Sequence, residues 1–140
     1  MRSISQILSD SKTIAIVGLS NKPDRASHEV AAYLQEAGYR IVPVNPSYAG
    51  DSILGETVYG SLQEAADALA ASGQPIDIVD CFRKSEDIPP IARDAIAVRA
   101  GCLWMQLDIE NQAAADLARA AGLDVVQNHC IKIEHRALQA

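Results

Sequence analysis

Three features of the sequence predict a doubly wound α/β fold with a parallel sheet and helices on both faces. Short β-branched runs alternate with longer amphipathic stretches along the chain. Most of those runs are nearly continuous in apolar residues, as strands covered on both faces must be. A glycine closes the first run shortly before a stretch with the chemistry of a helix start.

Taken in order, Ile4, Ile7 and Leu8 predict a short helix packed across the sheet, and Thr13–Val17 the first strand. Val30, Tyr33, Leu34 and Ala37 make one face of a helix that ends at Gly38, and Tyr39–Val44 is the second strand. The segment from Asn45 to Glu56 holds Pro46, Gly50 and Gly55 and has no helical period. It reads as a loop in place of a crossover helix, leading to a brief edge strand at Glu56–Val58. Leu62, Ala65, Ala66 and Leu69 form the next helix, with Ser61 as N-cap and Glu64 at the capping-box position. After the strand Ile76–Phe82, a helix follows Ser85, with Glu86 and Asp87 in its first turn. Pro89 and Pro90 are tolerated only near its start. A strand at Cys102–Leu107, a helix from about Asn111 to Ala121 stopped by Gly122, and a strand at Asp124–Gln127 complete the pattern. The expected strand order is 3-2-1-4-5-6, with the short strand at the edge, in one domain spanning residues 1–140.

Composition removes several function classes. The chain has 140 residues and a formal net charge of -6, so a surface that attracts a phosphate backbone is not expected. There is no polybasic amphipathic run for a membrane surface, and no apolar run approaches the roughly 20 residues a bilayer span needs. Met1 to Lys12 lacks the apolar centre of a signal peptide. The three cysteines, Cys81, Cys102 and Cys130, form neither a CxxC pair nor an even framework, which fits reduced thiols and a cytoplasmic location. No clustered Cys/His set or Walker lysine motif points to a metal or a P-loop. Aromatic residues are only 4%, so the core must be built from Ala, Val, Ile and Leu.

In an open parallel sheet, ligands bind beyond the carboxyl ends of the strands at the topological switch point. The turn after the first strand reads Gly18-Leu19-Ser20-Asn21-Lys22-Pro23-Asp24-Arg25-Ala26-Ser27. Gly18 permits close backbone approach, Ser20 and Asn21 offer hydrogen bonds, and Lys22 and Arg25 carry positive charge beside a helix start. That combination suits a pyrophosphate; the other reading is a tight turn with solvated cations. A dinucleotide fingerprint would need further glycines here and an acid at the end of the second strand. The chain has only Gly18 in this turn, and the second strand ends in Pro43-Val44-Asn45-Pro46. Both departures count against NAD and favour another phosphate-rich adenine nucleotide.

These residues resemble the small stand-alone CoA-binding protein family, Rossmann-like domains similar to the N-terminal CoA-binding domain of the succinyl-CoA synthetase α subunit. The resemblance runs from about Ile4 to Glu134. It is carried by Gly18-Leu19-Ser20 with Pro23, Arg25 and Ser27, by Tyr33-Leu34 with Gly38-Tyr39, and by Pro43-Val44-Asn45-Pro46. Gly55, Tyr59 and Ser61-Leu62 continue it, followed by Asp80, Phe82-Arg83, Trp104, Gln106 and Cys130-Ile131. It implies coenzyme A bound across the strand ends. Gly18 to Asn21 and Arg25 would hold the phosphates, with Lys22 beside them, and Val44, Asn45 and Pro46 would line the adenosine. Phe82, Arg83 and Lys84 would meet the pantetheine or the ribose phosphate. It does not carry over ligase activity, which needs further domains.

The remaining residues read more plainly. Trp104 and Gln106 share a side of their strand; Trp104 fits the core, and Gln106 is a candidate for the pantetheine tail. Asp80, inside an apolar run, is expected to fix a neighbouring loop backbone. Cys81 and Cys102 read as small hydrophobes, and Cys130, beside His129, as structural with a nucleophile as the alternative. His28 lies near the helix start, and His135 falls in a tail. The reading that results is a non-catalytic CoA or acyl-CoA binding domain, with no catalytic residue assigned. The alternatives are an NAD(P)-dependent oxidoreductase module or a thiol-dependent acyl-CoA enzyme using Cys130. The partner is a small molecule, with no nucleic acid or membrane; a homo-oligomer or protein partner is left open.

Overall fold

Parallel strands buried on both faces need side chains that exclude water on both, and Thr13-Ile14-Ala15-Ile16-Val17 supplies them without a break. The computed structural model describes residues 1–139. In chain order its elements are α1 (Ile4–Asp10), β1 (Thr13–Val17), α2 (Ala26–Glu36), β2 (Arg40–Val44), β3 (Ser52–Ile53), β4 (Glu56–Thr57), α3 (Leu62–Ala70), β5 (Ile78–Cys81), α4 (Ile88–Ala97), β6 (Cys102–Met105), α5 (Gln112–Ala120), β7 (Asp124–Val126) and α6 (Ile131–Gln139). The sheet is fully parallel in the order β2-β1-β5-β6-β7.

Alternate residues of each strand feed two cores. Ala15, Val17, Val79, Cys81, Leu103 and Met105 face α3, α4 and α5, whose buried alanines (Ala92, Ala95, Ala114, Ala115, Ala118) let helix and sheet approach closely. Ile14, Ile16, Ile78, Cys102 and Trp104 face α1, α2 and α6. Trp104 is fully buried, and its indole N–H donates to the His129 carbonyl at 2.8 Å, so it is a core residue. The chain leaves β1 toward one face and β5 toward the other. The switch point therefore lies between these two strands, at the end where Gly18 and Phe82 emerge.

Two expectations about elements are corrected. Glu56–Val58 is not an edge strand of the sheet: Glu56–Thr57 pairs antiparallel with Ser52–Ile53 in a separate hairpin. Its turn, Leu54-Gly55, has φ of 52° and 78°, the left-handed pair a type I′ turn requires, and Gln35 holds it by donating to the Leu54 carbonyl at 2.9 Å. Among the described residues, a single bridge, Val44 to Tyr59, extends the main sheet past β2. The predicted tail is the helix α6. His135 packs edge-on against Tyr33 and Tyr39, each with ring centroids 5.5 Å apart, and its Nδ1 lies 2.8 Å from the Tyr33 hydroxyl.

The N-cap at Ser61 forms as expected, accepting the Glu64 N–H at 3.1 Å. Glu64 instead accepts from Gly60 at 2.9 Å, one residue ahead of the capping-box partner. No described helix is long and apolar enough to cross a membrane.

Candidate functional site

The β1–α2 turn is built around contacts that fix each residue. Gly18 has φ +89°, and its N–H donates to the Val44 carbonyl at 2.8 Å. A Cβ here would stand 2.4 Å from the Phe82 carbonyl oxygen, so close packing against the end of β5 demands glycine. The Leu19 side chain is fully buried and anchors the turn. Ser20 donates its N–H to the Ser27 hydroxyl at 3.0 Å and accepts from the Lys22 N–H at 3.1 Å. The backbone amides of Gly18 and Ser20 are thus occupied within the fold.

The start of α2 is different. Arg25 occupies the N-cap position with extended backbone, φ -82° and ψ 144°, and its side chain caps nothing. The N–H groups of Ala26 and Ser27 meet no acceptor among the described residues. Both residues line a cavity of about 320 Å³, together with Ser20, Lys22 and Arg25 and with Tyr48 and Phe82. Two cations, free amide donors and the positive end of a helix dipole converge on one space. The exposed Asn21 does not line that cavity.

Beyond Gly18 the crest continues across the ends of β2 and β5. Asn45, only 5% exposed, is a clip: its Nδ2 donates to the Leu19 carbonyl at 3.0 Å, and its Oδ1 accepts from the Ser47 N–H at 3.0 Å. Arg83 Nη2 lies 3.4 Å from the same Oδ1. Val44, Pro46 and Arg83 border a second cavity of about 400 Å³, floored by Val17, Leu62 and Ile91 and edged by Asp87 and Asp94. Phe82, Arg83 and Lys84 border a third of about 480 Å³ with Asp87 and Ile109. Phe82 and Arg83 each belong to two of these spaces, so the three adjoin around the end of β5.

The structure therefore brings Gly18, Ser20, Lys22 and Arg25 to one cavity, and Val44, Pro46, Phe82, Arg83 and Lys84 to its neighbours. Leu19 and Asn45 support the turn from beneath. Gln106 is not brought to the crest cavities: it is 4% exposed, and its Oε1 accepts the Ile131 N–H at 3.1 Å, bracing the start of α6. Cys130, half-buried, immediately precedes α6 and lines none of the three cavities. The polar and aromatic lining residues that the sequence did not assign to the site include Tyr48, Asp87 and Asp94. Tyr48 ends the short 3-10 turn Pro46–Tyr48, and an aromatic residue just past Asn45-Pro46 was its only signal.

Asp80 overturns its expectation. Its side chain is fully buried and neither carboxyl oxygen has a hydrogen-bond partner among the described residues, so it holds no loop backbone there. Burial pushes its pKa well above the carboxylate range. Burial likewise raises the Cys81 and Cys102 thiols, leaving both protonated and inert.

The chain shares this architecture with known proteins. It is 41% identical over 132 residues to the uncharacterized protein YneT of Bacillus subtilis (strain 168), covering 94% of this chain and 91% of that protein. Among solved structures, cell-free ID.343 from Thermus thermophilus superposes with a TM-score of 0.85 at 33% identity, over 98% of this chain and 99% of the other. A hypothetical protein from Pyrococcus horikoshii OT3 gives a TM-score of 0.85 at 36% identity, over 98% and 90%. The family model described as CoA binding domain matches residues 12–136, from the start of β1 well into α6 and across every crest residue above, and the chain belongs to that family.

Proposed function

We infer that this protein binds coenzyme A or an acyl-CoA and holds its pyrophosphate at the start of α2, without itself catalysing a reaction. The observation that carries the reading is the uncapped helix start, where Ala26 and Ser27, whose N–H groups have no acceptor among the described residues, line one cavity with Lys22 and Arg25. A charge-assisted hydrogen bond contributes about 1.5–3 kcal/mol and a helix end about 0.3–1 kcal/mol. Two or three such contacts, with adenosine against Val44 and Pro46, reach the roughly -8 kcal/mol of a micromolar complex.

NAD fits less well. The ribose diol of a dinucleotide is read by an acid at the end of β2, and Asn45 stands there with its amide already committed to Leu19 and Ser47. Calorimetric titration of the protein with coenzyme A and with NAD tests the choice. Coenzyme A is expected to bind and NAD not, and tighter binding of NAD would falsify the reading. The non-catalytic part is tested separately by assaying acyl-CoA turnover. Turnover by the wild type that disappears in Cys130→Ser would make the protein a thiol enzyme.

A further inference from the structure

Arg83 sits where the crest cavities meet. It follows β5 and reaches back over the first turn, its Nε 3.2 Å from where a Gly18 Cβ would stand, and it borders both the 400 Å³ and the 480 Å³ cavities. A guanidinium is permanently charged and presents five N–H donors. Among the described residues, the one side-chain partner of Arg83 is neutral and distant, Asn45 Oδ1 at 3.4 Å. The ion pairs among the described residues belong to Arg2 and His129, so Arg83 has no carboxylate within 4.0 Å, although Asp87 borders the same two cavities. A half-buried guanidinium with a single long contact lacks acceptors and lacks a counter-charge.

Asn45 accounts for the geometry. Its amide is locked at both ends, so it orients Arg83 without neutralising it. The place is the end of β2, where a carboxylate reads an unmodified ribose and a nearby arginine accommodates a ribose phosphate.

We propose that Arg83 is a second anion site, separate from the pyrophosphate site at α2, which reads a phosphomonoester on the ribose of the bound adenosine, with Asn45 as its positioning residue. The proposal rests on the coenzyme A reading and sharpens it: the 3′-phosphate, not the pantetheine, is the group Arg83 selects.

The test is calorimetric titration of the full chain with coenzyme A and dephospho-coenzyme A, which differ only in that phosphate, and with adenosine 3′,5′-bisphosphate and AMP. Wild type is expected to prefer the phosphorylated member of each pair by about tenfold or more, equivalent to about 1.4 kcal/mol. In Arg83→Gln the preference should fall to near unity. Arg83→Lys should be intermediate, because it keeps the charge and loses the fork. Circular dichroism melts of the variants verify that they are folded. Equal affinities within both pairs for wild type, or a preference that survives in Arg83→Gln, overturns the proposal. If neither coenzyme A form binds but the bisphosphate still outcompetes AMP through Arg83, the phosphomonoester site stands and the coenzyme A reading falls. If none of the four binds, both fall.

Discussion

Arg25 and Gly18 stand seven residues apart in one turn and act through different physics. Arg25 is exposed and unpaired among the described residues, so its place at the cavity is electrostatic. Arg25→Ala should leave the fold intact and weaken coenzyme A by about 1.5–3 kcal/mol, read by calorimetry. An unchanged affinity would remove Arg25 from the site. Gly18→Ala meets the Phe82 carbonyl oxygen at 2.4 Å and forces a non-glycine residue to φ +89°. It should destabilise the protein by more than about 1–2 kcal/mol in urea and displace Phe82 and Arg83 with it. The sequence marks Gly18 as a position that needs glycine, but it cannot say which neighbour imposes the need. Here the end of β5 imposes it, and the Gly18 amide is spent on Val44.

Among the elements, α2 carries the clearest conflict between stability and function. Helix starts favour Ser, Thr, Asp or Asn at the N-cap, and α2 has Arg25 there with no cap formed. Arg25→Asp should supply the missing acceptor and a favourable charge, raising stability by about 0.5–2 kcal/mol in a thermal or urea melt. The same carboxylate at the cavity should reduce coenzyme A binding below that of Arg25→Ala. A lower melting temperature for Arg25→Asp would mean that α2 gains nothing from a conventional cap. Elements whose patterns carry their burial are legible in the sequence: β1, β2 and β5 are apolar along their buried lengths apart from Thr13 and Asp80, and α5 is bounded by Asn111, which caps Ala114 at 2.9 Å, and by Gly122 at φ +92°. Elements held by singular contacts are not. Among its described residues α6 buries Ile131 and is pinned by His135 against two tyrosines, a polar-aromatic contact that hydrophobic periodicity does not mark. The β3–β4 hairpin hides because Leu54, not Asn or Asp, takes the first left-handed position. The site follows the same division. Lys22 and Arg25 are visible as charges beside a helix start, whereas the Asn45–Arg83 contact joins residues 38 apart and exists only after β1, β2 and β5 pair.

For the molecule as a whole, binding and ionisation both enter the stability. A ligand held only by the folded state at a hundred times its dissociation constant adds about 2.7 kcal/mol, so coenzyme A should raise the melting temperature while NAD leaves it in place. Asp80 acts in the opposite direction. It lies in the middle of the sheet, in register with Ile16 on β1 and Trp104 on β6, with both oxygens unpartnered. Its folded pKa is raised by burial, whereas an unfolded aspartate titrates near 3.9. Below that unfolded value both states hold the proton and ionisation costs nothing. As the pH rises, the unfolded chain releases the proton first and stability falls until the folded carboxyl itself titrates. Asp80→Val removes the titrating carboxyl and its unpaired polar atoms and puts a strand-favouring β-branched side chain in their place. The variant should be more stable by about 1–3 kcal/mol even at pH 4, the cost of an unsatisfied buried polar group. The gap should widen between pH 4 and pH 7, because only the wild type loses stability there through this residue. Urea unfolding of both proteins at the two pH values measures it. A gap that stays constant or narrows would mean that Asp80 finds a partner or water in solution, and that its carboxyl is charged inside the fold.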